Sequence, residues 1–274
     1  LGFVDPAAGV APDRQRTTGT VFIASDRALR SSAASAADPF TNSRSDALHL
    51  AVSEVTIGRG LEYGKMIEAA GRARRADRPI VEVEHTEVVG VLPATVSLDL
   101  AAAEPWLARL NAELGAQSPG SDILIYVHGY NTDFRINTIR AAEFWHFRGR
   151  GGAVVSFDWP SRYRVIGYGA DKANAAYAVR HMRQLLELLA ERTDAGRIHI
   201  LAHSAGCPIV VDALREAIER QIPDSRAAVN GGGGHFSIEV TSPAFAGKSS
   251  RDVAHDKLVA LKLLHRYNET KDAT

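Results

Sequence analysis

Three short apolar runs that do not alternate, each separated from the next by a segment of helical period, constrain this chain more than any other feature. They are Ile123-Leu124-Ile125-Tyr126-Val127, Ala153-Val154-Val155-Ser156-Phe157 and Arg197-Ile198-His199-Ile200-Leu201-Ala202. A strand with water on one face alternates apolar and polar residues, whereas a strand that is apolar throughout needs cover on both faces. The segments Ile136–Phe147 and Lys172–Arg192 offer that cover. The second places Ala175, Val179, Met182, Leu185, Leu186 and Leu189 on one helical face, and Gly149, Gly151 and Gly152 stop the first. A helix with Leu107, Leu110 and Leu114 at helical spacing is expected over Glu104–Leu114, and another over Pro208–Arg220. The fold class that follows is α/β, with a mostly parallel sheet and helices on both faces.

Upstream, Thr20-Val21-Phe22-Ile23-Ala24 predicts a buried strand that leaves into a loop at Ser25-Asp26-Arg27. The Ala/Ser-rich stretch that follows, through Ser43, reads as mobile. Ile80–Glu84 alternates and Glu87–Leu92 is more continuous, so both read as extended. The organisation expected is an exposed arm over residues 1–19 and a single domain over 20–274. Within that domain, a strand extension covers 20–100 and a catalytic core 101–274. The basic run Gly71-Arg72-Ala73-Arg74-Arg75 lacks interleaved aromatics and reads as a solvated turn.

Composition removes several function classes. With 45% hydrophobic residues the chain can bury a core. Lys+Arg and Asp+Glu are both 32, a balance that argues against a nucleic-acid or acidic-membrane binder. Cys207 stands alone, which excludes an intrachain disulfide framework and a Cys-rich zinc site. No apolar run reaches the ~18 residues of a transmembrane helix. His199 and His203 are four apart, but on a strand and its turn, where helical ligand spacing does not apply. Glycine-rich phosphate loops are absent, so no metal and no cofactor is expected. The chain opens at Leu1 with neither methionine nor signal core, which reads as a trimmed N-terminus and leaves an exported or cell-envelope location open.

Two strand ends carry chemistry, as ligands in such sheets gather at the carboxyl ends of strands. The third strand runs into Ala202-His203-Ser204-Ala205-Gly206 and then a helix. This is the strand–turn–helix setting of a nucleophile elbow, G-x-S-x-G with Ala202 in place of the first glycine. The competing reading is an incidental serine in a helix-capping turn. The first strand ends in His128-Gly129-Tyr130-Asn131, where a backbone N–H of Tyr130 or Asn131 would be one oxyanion donor and that of Ala205 the other. His128 reads as a structural histidine bonding the loop backbone, and His203 as pointing away from the reaction centre.

His128-Gly129-Tyr130-Asn131, Phe157-Asp158-Trp159-Pro160-Ser161 and Ala202-His203-Ser204-Ala205-Gly206 together resemble a family of bacterial α/β-hydrolases catalogued as a domain of unknown function, DUF900. Thr20–Arg27 resembles that family's opening strand, and Tyr168 and Asp171 match a tyrosine and an aspartate after its Trp-Pro-Ser motif. The resemblance covers roughly residues 20–220 and implies an α/β-hydrolase fold with esterase- or lipase-like serine chemistry. It implies no particular substrate.

A triad in this fold runs Ser, then Asp or Glu, then His. Only 70 residues follow Ser204, and they contain one clear strand, Phe236–Thr241, then a loop and a helical tail, Lys257–Tyr267. That ending reads as the last unit of a shortened fold, with His255 in its loop as the expected base. His265 lies within the predicted helix, and His235 at the wrong end of the strand. Asp252 is the nearest acid, with Asp224 and Asp26 behind it. The run Gly231-Gly232-Gly233-Gly234 falls where an acid-bearing unit belongs. The expected activity is hydrolysis of a small-molecule carboxylic ester through an acyl-enzyme at Ser204. The alternatives are a hydrolase-like binding protein that has lost turnover, and an acyltransferase or thioesterase on the same site. Trp145, Trp159, Tyr163 and Tyr168 either line an acyl pocket or belong to the core.

Overall fold

The computed structural model describes residues 9–10, 12, 15–31, 36–58, 61–65, 81–93, 100–116, 121–161, 168–222, 224–232, 235–243 and 246, with backbone alone at 168–171, 229–232 and 235–238. In chain order the elements are β1 (Thr18–Leu29), β2 (Phe40–Ile57), β3 (Val81–Pro93), α1 (Leu100–Gly115), β4 (Ile123–Val127), α2 (Phe134–Phe147), β5 (Ala153–Asp158), α3 (Tyr168–Arg192), β6 (Ile198–Ala202), α4 (Gly206–Gln221), β7 (Arg226–Gly232) and β8 (His235–Thr241). Six strands form one sheet in the order β3-β2-β1-β5-β4-β6. Pairing is parallel from β1 through β5 and β4 to β6, and β2 is antiparallel to both of its neighbours.

The chain steps from β4 to β5 in one direction and from β5 back past β4 to β6 in the other. A right-handed crossover made in the reverse direction carries its helix over the opposite face. The helices divide accordingly. On one face α1, α3 and α4 bury Trp106, Leu110, Met182, Leu185 and Ile209 against Phe22, Leu50, Ile125, Val155 and Phe157. On the other, α2 buries Phe134, Ala141 and Trp145 against Val21, Ile23, Ala51, Tyr126 and Val154. Successive β1 residues Phe22 and Ile23 thus enter different cores, both almost fully buried, which is why that strand shows no alternation of polarity. Trp106 also donates its indole N–H to the Ala51 carbonyl at 3.0 Å, pinning α1 across β2. The mostly parallel sheet with helices on both faces is the architecture that the three apolar runs predict.

Several boundaries and one placement differ. The stretch read as mobile through Ser43 contains the start of β2: Phe40 is buried and pairs with Leu29. The two extended runs near residues 80 and 92 are one strand, β3, with register shifts against β2. Helix α2 starts at Phe134, two residues early, because Asp133 caps it by accepting the Ile136 N–H at 2.8 Å. β6, read as a strand covered on both faces, is the edge of the sheet among the described residues, with Leu201 38% exposed. β8 is not the last strand of the main sheet. Among the described residues it pairs only with β7, as an antiparallel hairpin apart from the six-stranded sheet. The basic run at 71–75 and the helical tail predicted over Lys257–Tyr267 lie outside the described residues.

Candidate active site

The reversal of direction around β4 leaves a crevice at the carboxyl ends of β4 and β6, the switch point where open α/β sheets bind ligands. The loop after β4 and the turn after β6 meet there, and their glycines show how closely. A Cβ on Gly129 would stand 2.7 Å from His203 Nδ1, 2.9 Å from the His203 carbonyl and 3.0 Å from Ser204 Cβ. A Cβ on Gly206 would stand 2.5 Å from the His128 carbonyl oxygen and 2.9 Å from that of Val127. Both glycines are therefore fixed by contact between the two motifs. The His203 N–H donates to the Val127 carbonyl at 2.9 Å and closes the join.

Ser204 sits between the end of β6 and the start of α4 with φ of 51°, in the left-handed region that a residue with a Cβ rarely enters. The turn is tight: Gly206 N–H donates to the His203 carbonyl at 2.9 Å and Cys207 N–H to the Ser204 carbonyl at 3.0 Å. Ser204 is exposed, and Ala205 is the N-terminal cap residue of α4. Among the oxyanion candidates opposite, Tyr130 is half-buried and Asn131 exposed, the latter also left-handed at φ of 56°. The structure thus brings Ser204, Ala205 and the Tyr130–Asn131 loop to one crevice.

His128 is fully buried, stacked on Trp159 at 5.1 Å. Its ring bonds the Gly129 carbonyl at 2.8 Å and the Trp159 backbone, and the Trp159 indole donates to the His128 carbonyl at 2.8 Å. That is the loop-bonding role expected of it. His203 is exposed, and its ring lies on Gly129. Trp145 and Trp159 are core residues. Tyr163 lies outside the described residues, and only the backbone of Tyr168 and Asp171 is described, in α3.

The proposed triad partners are not brought to Ser204 among the described residues. His255, His265 and Asp252 lie outside them. Asp224 is at φ of 55° just past the far end of α4, a helix about 24 Å long with Ser204 at its near end. His235 opens β8, in the separate hairpin. Asp26 is fully buried in β1 and bonds His181 of α3 at 3.1 Å. Two strands lie between β1 and β6, about 14 Å of sheet, so this pair does not reach Ser204. A cavity of about 630 Å³ lined by Glu219, Arg226, Ala228 and Glu239 lies at the far end of α4 and does not adjoin the serine.

A second group of polar residues escaped the sequence reading. Asp158, at the end of β5, is fully buried with both carboxylate oxygens engaged. Arg27 Nε donates to it at 2.8 Å, Ser25 Oγ at 2.9 Å and Asn137 Nδ2 at 3.2 Å, and His128 Nε2 stands 3.5 Å away. Burial would raise this carboxyl, but the charge of Arg27 and the contacts with His128 and Ser25 hold it below the usual carboxylate range. The available signal was a charged residue at the end of an apolar strand, which cannot be buried without a partner.

Among the described residues no group of His, Cys, Asp or Glu side chains converges as metal ligands would, and no helix is long and apolar enough to cross a membrane. Cys207 is half-buried with its thiol 3.4 Å from the Ala202 carbonyl, and burial pushes that thiol up.

The sheet order, the interlocked turns and the left-handed serine define an α/β-hydrolase fold. Residues 103–230 match the family model described as alpha/beta hydrolase of unknown function, DUF900, the family that the three motifs resemble. Neither a curated protein nor a solved structure gave a match.

Proposed function

We propose that the protein is a serine hydrolase that cleaves carboxylic esters through an acyl-enzyme at Ser204. The observation that carries this reading is the left-handed serine at the end of β6, facing a loop whose glycine permits contact with it. A helix-capping serine has no need of that conformation, whereas a hydroxyl that must stand clear of the sheet does. In the proposed reaction Ser204 Oγ attacks the ester carbonyl carbon while His255, oriented by Asp252, takes its proton. The N–H groups of Ala205 and of Tyr130 or Asn131 receive the oxyanion. The bond to the alkoxy oxygen breaks, and the alcohol departs with the proton from His255. Water then attacks the acyl-enzyme, and the carboxylic acid leaves.

Labelling with a fluorophosphonate, read by intact mass, tests this. The expected result is a single adduct on the unmodified protein, none on Ser204→Ala, and loss of 4-nitrophenyl butyrate hydrolysis in the same variant. Hydrolysis that survives Ser204→Ala overturns the reading. A second reading, a binding protein that keeps the crevice without turnover, draws support from the separate β7–β8 hairpin, since a triad's later members usually follow strands of the main sheet. It predicts a folded protein that binds an acyl ligand and forms no adduct.

A further inference from the structure

We infer that Arg27 is a positioning residue for the oxyanion loop, acting through the carbonyl of Thr132 and through Asp158. The inference rests on the serine-hydrolase reading above. Arg27 precedes the first of the three motifs by a hundred residues and lies outside the segment 103–230 matched by the family model. Its contacts nevertheless gather at the carboxyl ends of β4 and β5, with one to Asn42 of β2. Nη2 donates to the Thr132 carbonyl at 2.9 Å, immediately after the left-handed Asn131. Nη1 donates to Asn42 Oδ1 at 2.6 Å and to the Ser161 carbonyl at 3.4 Å, and Nε donates to Asp158 at 2.8 Å.

The loop is thereby held at both ends. At its start His128 is locked between Trp159 and Asp158, and at its close Thr132 is locked by Arg27. Asp158 touches both anchors, so the two ends share one counter-charge. Between them stand Tyr130 and Asn131, the residues whose N–H groups are candidates for the oxyanion. Such donors act only within a narrow geometry, and a misplacement of about 1 Å costs about a hundredfold in rate. A planar guanidinium with its donors in a fixed fork can hold four acceptors in different directions, which an ammonium at the end of a flexible chain cannot.

The test compares the unmodified chain with Arg27→Lys and Arg27→Met. It measures 4-nitrophenyl butyrate kinetics, fluorophosphonate labelling of Ser204 and amide hydrogen exchange. Lysine keeps a positive charge beside Asp158, so Arg27→Lys retains a cooperative fold even where Arg27→Met does not. The expected result for Arg27→Lys is a kcat about 10- to 100-fold lower with KM within twofold, and labelling slowed in proportion. Exchange at Tyr130–Thr132 should be faster while the amides of β4 and β5 keep their rates. A purely structural role would lower the melting temperature and leave kcat of the folded protein unchanged. An Arg27→Lys variant with unaltered kcat overturns the inference while labelling of Ser204 in the unmodified protein leaves the hydrolase reading intact. An unmodified protein that neither labels nor turns over ester overturns both.

Discussion

Asp26 and Arg27 are neighbours on β1, and each is fully buried in an ion pair, but on opposite faces of the sheet and in opposite circumstances. Arg27 faces α2 and pairs with Asp158, where every nitrogen of its guanidinium has an acceptor and both carboxylate oxygens have partners. Asp26 faces α3 and pairs with His181, and here Asp26 Oδ1 and His181 Nε2 have no hydrogen-bond partner among the described residues. Burial pushes the Asp26 carboxyl up, and the bond to His181 only partly offsets this. A buried ion pair repays its desolvation only when its remaining lone pairs and protons are satisfied. The difference teaches that burial of charge here has two outcomes: one network that organises three strand ends, and one pair with hydrogen-bonding atoms left unmet among the described residues.

The largest effect is expected from Asp158→Asn, which leaves the Arg27 charge without its counter-ion and should cost about 3–5 kcal/mol in chemical denaturation at neutral pH. A cost below about 1 kcal/mol would abolish the distinction between the pairs. Replacing the other pair together, Asp26→Leu with His181→Leu, should be neutral or stabilising by about 1–4 kcal/mol. A double variant less stable than the parent breaks the comparison from that side.

The pH dependence should separate the two carboxylates by sign. The pKa of Asp158 is depressed in the fold, so its contribution is present above the unfolded value of about 3.9 and is lost as pH falls through the folded value. The gap between the parent and Asp158→Asn should therefore close on acidification. For Asp26 the folded value is raised, so its contribution is present below about 3.9 and is lost as pH rises through the folded value. Asp26→Asn should consequently fall further behind the parent as pH falls. Denaturation midpoints at several pH values would check both slopes, and slopes of the same sign would refute the contrast. The smallest effect belongs to Asn42→Ala, which removes a single partly buried acceptor from Arg27 and should cost about 1 kcal/mol by the same denaturation assay.

How far the sequence could be read depended on what each signal encodes. The apolar runs at 123–127 and 153–157 specify cover on both faces, and the strands lie in the middle of the sheet. The run at 198–202 has the same pattern, but pattern alone does not say how many neighbours a strand has, and among the described residues β6 is an edge. β2 was illegible for the opposite reason. Its first half, Thr41-Asn42-Ser43-Arg44-Ser45-Asp46, is polar because it runs past the crevice end of β1, where side chains such as Asn42 serve Arg27. At the candidate site, motif spacing pointed to Ser204 and the loop that faces it, because both lie within a few residues of a recognisable strand end. Arg27 meets Asp158 across 131 positions and Asp26 meets His181 across 155, and local pattern carries no record of such pairing.

The conformation of Ser204 sets durability against the proposed activity. At φ of 51° a serine costs about 1–2 kcal/mol relative to an ordinary backbone geometry, and glycine escapes that cost. A screen of this protein for survival on heating would therefore rank Ser204→Gly among its improvements, while that same change deletes the hydroxyl on which the proposed chemistry depends. Selection for robustness alone would drift toward an inert scaffold, so any engineering of this chain for thermal endurance has to score turnover alongside it.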